Sequence, residues 1–272
     1  MVEILKDKKE MKRVKTYIKG LDENIEGGIP AGHVVLVSGT AGTMKSSVIF
    51  NILYNEALAG KTSLYLSLEQ SYQSLLNHFI NMGYDFSKIN LYMLSDISKI
   101  DESIAEVKAS KKGTLIISDV GTLRKQIKNL KVGPGGDWLN VIKNIVQKIK
   151  KGCNCELFTL DSLSAMYILS NFTGTEVRSR LFYVFEFLRD LGLTSFLISE
   201  MPLTKTKYSE YEIEDFLSDG IIVLQLTERY RKVTREIAIV KMRATKCNTD
   251  IFSLEFKDGQ FQALYGGKTP LV

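Results

Sequence analysis

The sequence predicts an α/β fold in which a mostly parallel central sheet, flanked by helices, is followed by an antiparallel β meander. Short β-branched and apolar runs alternate with helical stretches, as expected where crossover helices cover both faces of parallel strands. After residue 220 this alternation stops, and strand-like segments follow one another across the turn-forming stretch KDGQ. With 272 residues, 44% of them hydrophobic, the chain can bury one full core.

Each element of this fold has its own signal in the chain. Strands are predicted from the apolar runs at 33–39, 62–69, 91–94, 114–118, 156–161, 194–200 and 220–226, and the meander from 235–243, 251–256 and 260–264. Helices are predicted at Lys45–Ala59, Ser71–Met82, Trp138–Lys150 and Glu176–Leu191. The Gly and Pro cluster at 131–138 predicts a loop. We expect an N-terminal segment at 1–13 and a single domain over 14–272.

Composition and charge exclude several classes of protein. A formal net charge of +5, from 36 basic and 31 acidic residues, neither demands nor excludes an anionic polymer as partner. The amino terminus lacks the apolar core of a signal peptide, and charged residues interrupt the longest apolar region, 181–199. The three cysteines and two histidines form no metal-ligand pattern. We therefore expect a cytoplasmic protein without a membrane span or a zinc site.

The stretch SGTAGTMKSSVIF, Ser38–Phe50, has the spacing of a phosphate-binding loop, G-x-x-x-x-G-K followed by Ser or Thr, with Met44 in place of the second glycine. A strand precedes it and a helix follows, so backbone N–H groups at the helix start converge on phosphate oxygens. The residues predicted to bind ATP are Gly39, Thr40, Ala41, Gly42, Thr43, Met44, Lys45, Ser46 and Ser47. Lys45 would reach the β and γ phosphates, and the Ser46 hydroxyl would complete a Mg²⁺ shell.

Met44 raises the question whether this loop still binds nucleotide. Glycine is required where φ is positive or where a Cβ would collide with phosphate, and Gly39 and Gly42 remain for those tasks. Position 44 lies where the chain turns into the helix, so we expect a right-handed α conformation, a side chain directed away from the ligand, and intact binding. Two alternatives stay open: a glycine-rich turn without a ligand, and slower turnover because Met44 crowds the γ phosphate.

Motifs around this loop occur in a characteristic order. Upstream are a glycine-hydrophobic-aspartate turn at 20–22 and GGIPAG at 27–32; downstream are YLSLEQ at 65–70, LFTLDS at 157–162, EDFLSDGIIVLQL at 214–226 and IVKMRAT at 239–245. In this order they resemble the KaiC and KaiC-like ATPases of the RecA superfamily, from about residue 14 to 264. Residues 118–154 lack a counterpart and form an apparent insertion. The resemblance implies a RecA-like P-loop NTPase fold, ATP and Mg²⁺ as cofactors, and hydrolysis of ATP to ADP and phosphate.

The resemblance also implies roles for two carboxylates, Glu69 and Asp161, and one amide, Gln70. In KaiC-like proteins a pair of adjacent glutamates serves the attacking water, and the matching positions are Glu69 and Gln70. Because glutamine orients water but cannot accept its proton, only Glu69 remains as a base, and we expect slow turnover. Asp161 matches a carboxylate that holds Mg²⁺ through water. Asp119 has the same local sequence pattern, but it leads into the unmatched insertion, so we prefer Asp161.

Lys241 and Arg243 alternate with apolar neighbours and would share one face of a late strand. In KaiC-like hexamers the matching residues reach the γ phosphate bound by the adjacent subunit. The resemblance therefore implies that both are catalytic, and that the protein is a homo-oligomer, a hexamer, with active sites between subunits.

Three functions remain compatible with the sequence. We expect a KaiC-like ATPase that acts as an oligomeric regulatory or signalling module, with room for a protein partner that the sequence does not identify. The second is a DNA-acting recombinase or translocase, with phosphate and base contacts from Lys205, Lys207, Tyr208 and Tyr211. Four acidic residues follow closely and make nucleic acid the less favoured partner. The third is a scaffold that binds ATP and scarcely hydrolyses it.

Overall fold

The structure, a computed structural model, describes residues 11–129, 138–170, 176–201, 208–209, 213–229 and 231–265. The strands are β1 Arg13–Val14, β2 Ile29–Pro30, β3 Val34–Gly39, β4 Thr62–Ser67, β5 Asn90–Met93, β6 Thr114–Asp119, β7 Leu157–Asp161, β8 Thr194–Glu200, β9 Gly220–Arg229, β10 Lys232–Met242, β11 Ile251–Lys257 and β12 Gln260–Tyr265. The helices are α1 Lys45–Leu58, α2 Tyr72–Asn81, α3 Ile100–Ala109, α4 Val120–Asn129, α5 Trp138–Cys153, α6 Leu163–Leu169, α7 Glu176–Asp190 and α8 Ile213–Leu217.

Ten of these strands form one sheet, in the order β12-β11-β10-β9-β3-β8-β7-β4-β6-β5. The seven strands from β9 to β5 run parallel, and β10, β11 and β12 are added antiparallel to β9. The predicted α/β fold with its C-terminal meander is confirmed. All parallel strands end at the same edge, called here the carboxyl edge, which is where open α/β sheets bind their ligands.

The sheet is buried on both faces by two apolar clusters. Along β3, Val34 and Leu36 belong to the cluster that includes α5 and α7, whereas Val35 and Val37 belong to the cluster that includes α1 and α2. A strand covered on both sides needs apolar residues at every position, because its side chains alternate between the faces. The continuous apolar run before the phosphate loop therefore reflects the central position of β3.

Several predicted boundaries and elements differ from the structure. The predicted strands and helices are found with ends shifted by a few residues, and α5 extends to Cys153. Helices α3, α4, α6 and α8 were not predicted, since they are short or lack a clear apolar period. Trp138 is shared by the predicted loop and the predicted helix, and the structure places it as the buried first residue of α5. Much of the apparent insertion therefore folds as α4 and α5, between β6 and β7.

Some predictions fall on residues that the structure does not describe. These are residues 1–10 of the expected N-terminal segment, residues 131–137 of the predicted loop, and three of the four residues considered for DNA contact, Lys205, Lys207 and Tyr211. The fourth, Tyr208, accepts a hydrogen bond at its backbone oxygen from the Ser38 hydroxyl, next to the phosphate loop. Within the described ranges, every helix is too short or too polar to cross a membrane.

Candidate nucleotide site

The phosphate loop connects β3 to α1 at the carboxyl edge, and its two glycines have different tasks: Gly42 has the positive φ that the sequence predicts, whereas Gly39 allows a neighbouring strand to pack closely. A Cβ at Gly39 would lie 2.3 Å from the Leu224 carbonyl oxygen of the neighbouring β9. Gly42 has a φ of +78°, a conformation that side-chain-bearing residues rarely adopt. Close strand packing and a left-handed turn therefore explain these two positions.

Met44 also has a left-handed backbone, with φ 71° and ψ 28°, so the expected right-handed conformation was wrong. Met44 is the residue that caps the start of α1, and its carbonyl accepts the first helical hydrogen bond, from Val48 N at 2.9 Å. The closure of the loop sets this conformation, against the preference of an L-residue by about 1–2 kcal/mol. The side chain packs against the apolar cluster beneath α1 and also lines the nucleotide cavity.

A cavity of about 690 Å³ opens above the loop. Its lining includes Ala41–Ser47, Glu69 and Asp161. Gly39 and Thr40 do not line it, but both contact Lys45, which does. The Lys45 ammonium donates to the carbonyls of these two residues, at 2.8 and 3.0 Å. Burial lowers the pKa of Lys45, against the opposing attraction of Glu200, Asp161 and Glu69. A cation thus lies among three carboxylates at the floor of the cavity.

Asp161 ends β7 at this cavity and is 6% exposed. Its carboxylate accepts a hydrogen bond from the hydroxyl of Tyr65, on the adjacent β4. Burial raises the pKa of Asp161, and the nearby hydroxyls of Tyr65 and Ser46 oppose the rise. The peptide between Asp161 and Ser162 is cis.

Ser46 and Asp161 fit a Mg²⁺ site, because a hydroxyl beside a carboxylate offers the hard oxygen ligands that this ion prefers. Among the described residues, no cluster of three or more His, Cys, Asp or Glu could hold a metal ion. Such a pair suits an ion that takes its remaining ligands from water and nucleotide phosphate.

Asp119, the competing carboxylate, does not line the cavity. Its Oδ2 accepts from Tyr72 N at 3.1 Å and its Oδ1 from Thr122 N at 2.9 Å. The carboxylate therefore joins the starts of α2 and α4 to the end of β6. Asp119 therefore has a structural task at these helix starts.

Glu69 lies exposed at the cavity, directly after β4, and its Oε1 accepts a hydrogen bond from the Ser162 hydroxyl. The same hydroxyl accepts from Ala165 N at 3.1 Å and so caps α6. Gln70 also lines the cavity, and its backbone is fixed by hydrogen bonds with the Ser67 hydroxyl. The carboxylate at position 69 is thus held at the cavity by a residue of the adjacent strand end.

Several residues of the cavity were missed in the sequence, among them Ser162, Glu200, His78 and Arg235. Glu200 ends β8 opposite Gly39, and its position at a strand end could have identified it. His78 of α2 lies 3.0 Å from the Ser47 hydroxyl through Nε2. Arg235 of β10 donates from Nε to the Gly42 carbonyl at 3.2 Å. No local pattern indicates Arg235, because its place depends on how β10 pairs with β9.

Lys241 and Arg243 lie away from this cavity. Lys241 pairs with Ile221 of β9, and Gly39 of the phosphate loop pairs with Leu224 of the same strand. The two positions on β9 are three residues apart, which separates Lys241 from the loop by roughly 10 Å along the strand. Its ammonium donates to the carbonyls of Asp215 and Ser218 at the end of α8, at 2.9 and 2.7 Å. Neither residue is brought to the phosphate loop of its own chain.

Arg243 is held at the same place. Its guanidinium donates to Asp219 Oδ1 at 2.8 Å and to the Phe216 carbonyl at 3.2 Å. Both basic side chains therefore contact the C-terminal end of α8, at the edge of the sheet opposite the cavity.

Comparisons with known proteins agree with this geometry. A UPF0273 protein of Saccharolobus solfataricus is 30% identical over 237 residues, which cover 87% of this chain and 77% of that protein. The circadian clock oscillator protein KaiC of Thermostichus vulcanus is 25% identical over 87% of this chain, which spans only 41% of the clock protein. The crystal structure of a KaiC-like protein from Pyrococcus horikoshii superimposes with a TM-score of 0.70, at 24% identity, over 94% of this chain and 100% of that one.

A sequence model of the KaiC ATPase family matches residues 14–262, from the strand before the turn at Gly20 to the last strand of the meander. The match includes the phosphate loop, the three carboxylates of the cavity, Lys241 near the end of β10 and Arg243 just after that strand. The chain belongs to the KaiC family of ATPases.

Proposed function

We propose that this protein binds ATP with Mg²⁺ at the phosphate loop and hydrolyses it slowly, in a homo-oligomer whose active sites lie between subunits. The observation that carries the proposal is the division of the expected catalytic residues between two places. Lys45, Ser46, Glu69 and Asp161 meet at one cavity, while Lys241 and Arg243 lie at the opposite edge. Because Lys241 and Arg243 lie away from the cavity of their own chain, we infer that they act at the cavity of a neighbouring subunit.

The residues of the cavity have separable tasks. Backbone N–H groups of the loop and the Lys45 ammonium bind the phosphates, and Ser46 and Asp161 would hold the Mg²⁺. When bound, the ion neutralises charge on the β and γ phosphate oxygens. Arg235, which already contacts Gly42, adds positive charge at the loop within the same chain.

Glu69 would accept the proton of the attacking water, and its bond from Ser162 orients the carboxylate. Gln70 orients water without taking its proton. A single base where the family has a pair supports slow turnover. We propose that nucleotide state sets assembly or partner binding, as a regulatory or signalling module would require. The clock function of the KaiC oscillator is not transferred, since this chain spans less than half of that protein.

Mixing two inactive variants tests the shared active site. Glu69→Gln lacks the base, and should lose about 10²- to 10⁴-fold in turnover while retaining ATP affinity. Arg243→Ala lacks the cation that would reach the neighbouring cavity, and its turnover should fall about 10³-fold or more. In a ring assembled at random from equal amounts, roughly a quarter of the interfaces pair an intact cavity with an intact Arg243. We expect phosphate release to return to about that fraction of the wild-type rate.

The controls are assembly and binding. Size measurement with and without ATP and Mg²⁺ should show an oligomer, and calorimetry should show ATP binding by both variants. Copurification of differently tagged subunits confirms mixed rings. If mixed rings remain inactive, or if Arg243→Ala alone turns over like wild type, the shared active site is wrong.

A further inference from the structure

Helices α6 and α8 are joined by a buried hydrogen bond that the proposed chemistry does not use. The Tyr167 hydroxyl of α6 donates to Glu214 Oε1 of α8 at 2.6 Å. Tyr167 is 3% exposed and Glu214 is fully buried. Within the described part of the chain, the other oxygen of Glu214 has no hydrogen-bond partner. Because burying a carboxyl with so few partners is costly, this contact calls for an explanation beyond packing.

The C-terminal end of α8 binds the two basic residues of the proposed shared site, Lys241 and Arg243. Three backbone carbonyls at its C-terminal end, those of Asp215, Phe216 and Ser218, accept from Lys241 or Arg243. These bonds tie both cations to α8, so a shift or rotation of the helix moves them with it. The Phe216 ring between these carbonyls is 75% exposed, so this end of α8 faces outward.

Helix α6 connects this arrangement to the nucleotide cavity. Its first turn is bonded to the nucleotide cavity, since Ser162 donates to Glu69 and the Ser164 hydroxyl accepts from Glu200 N at 3.1 Å. Tyr167 stands one turn further along the same helix. A chain of hydrogen bonds thus runs from one subunit's cavity, through α6 and α8, to the cations that it presents outward.

We propose that Tyr167 and Glu214 are positioning residues that hold α8 in the orientation in which Arg243 and Lys241 meet the γ phosphate of the neighbouring subunit. This inference rests on the proposed function, and it names the part of the chain that aims the shared cations. Neither residue touches nucleotide. Their effect should therefore appear in the activity that one subunit lends to the next.

Tyr167→Phe removes the hydroxyl and keeps the ring. Because a misplacement of about 1 Å can cost roughly 100-fold in rate, we expect kcat to fall about 10- to 100-fold. The affinity for ATP should stay within about twofold, because the phosphate loop is unchanged. Tyr183→Phe is the matched control, since Tyr183 on α7 is 67% exposed, and its turnover should equal that of wild type. Glu214→Gln, which retains an acceptor for Tyr167, should keep more activity than Glu214→Ala.

Mixing decides which site the variant damages. If Tyr167→Phe misplaces the donated cations, its own cavity is intact, and Glu69→Gln subunits should rescue it by supplying a correctly placed Arg243. Subunits carrying Arg243→Ala should not rescue it, because both partners then lack a functional donor. Thermal unfolding and copurification are measured on the same mixtures, so that the comparison is made between folded, mixed rings.

Several outcomes would overturn the inference. Wild-type turnover of Tyr167→Phe would show that the bond is not needed for positioning. Rescue by Arg243→Ala would place the defect in the variant's own cavity, and rescue by neither partner would indicate general loss of structure. Failure of Glu69→Gln and Arg243→Ala to complement each other would instead refute the shared active site itself, so the two failures are distinguishable.

Discussion

Two edges of the sheet differ in what their polar side chains contact. At the carboxyl edge, side chains from the phosphate loop and from the ends of β4, β7 and β8 line one cavity. At the opposite edge, Lys241 and Arg243 donate hydrogen bonds to backbone carbonyls of α8 in the same chain. The first region has the cation, hydroxyl and carboxylates that a nucleotide with Mg²⁺ requires. The second has cations whose described partners are backbone carbonyls near the end of α8 and the Asp219 carboxylate.

This difference teaches how far a single chain specifies its active site. The cavity can be judged from one subunit, because its groups already contact each other. The α8 edge cannot, because its intrachain contacts are the same whether they only cap a helix or, as we propose, also position the cations for a neighbouring subunit. Variants at the first edge should change binding by the isolated chain, whereas variants at the second should change stability or the activity of assemblies.

At the carboxyl edge, the largest effect on ATP affinity is expected for Lys45→Ala. The Lys45 ammonium is half-buried at the cavity, and its loss should weaken ATP binding by about 3 kcal/mol, roughly 100-fold. Titration calorimetry with ATP and Mg²⁺ measures this. Lys148→Ala, which breaks only an exposed pair with Asp101, is the matched control and should bind like wild type. Unchanged affinity of Lys45→Ala would remove the cavity from the nucleotide interpretation.

A smaller effect, on stability, is expected at the α8 edge for Asp219→Asn. Burial favours the neutral carboxyl, but bonds from Arg189, from Val34 N and from Arg243 outweigh it and lower the pKa of Asp219 below its usual 3.8. The ionised form therefore stabilises the fold above the unfolded pKa, and this contribution is lost as pH falls through the lower folded pKa. We expect the variant to be less stable by about 2 kcal/mol at pH 7.

Denaturant unfolding of the nucleotide-free protein between pH 7 and pH 3 measures this contribution. The difference between wild type and Asp219→Asn should be constant above about pH 5 and should shrink below 3.8. Asp190→Asn, at an exposed site on α7, is the matched control and should be as stable as wild type at pH 7. A difference that grows toward acid would contradict the assigned ion pairs.

The sequence predicted the first region well for a physical reason. The loop, the strand before it and the helix after it are consecutive in the chain, so local patterns contain nearly all their contacts. Glu200 could also have been found, since parallel strands end at one edge. Arg235 could not, because its contact with Gly42 depends on antiparallel pairing across β9 and β10.

The second region depends on still longer contacts. Helices α6 and α8 span only seven and five residues, too short for an apolar period to show, and their joining bond links residues 47 positions apart. The strand that carries Lys241 also contains a register shift between Ile239 and Lys241. The family resemblance supplied roles for Lys241 and Arg243, but no pattern indicated the helix on which they rest.

The smallest effect sharpens the account of the first region at Met44, where the sequence-based expectation was wrong. In Met44→Gly and Met44→Ala alike, the side-chain contacts with the apolar cluster are lost, but only alanine keeps the cost of a left-handed backbone. We therefore expect Met44→Gly to be more stable than Met44→Ala by about 1 kcal/mol in denaturant unfolding. Equal stability would show that position 44 does not hold the left-handed conformation in solution. Turnover of the same pair settles the open alternative, because faster hydrolysis by both variants than by wild type would mean that the Met44 side chain crowds the γ phosphate.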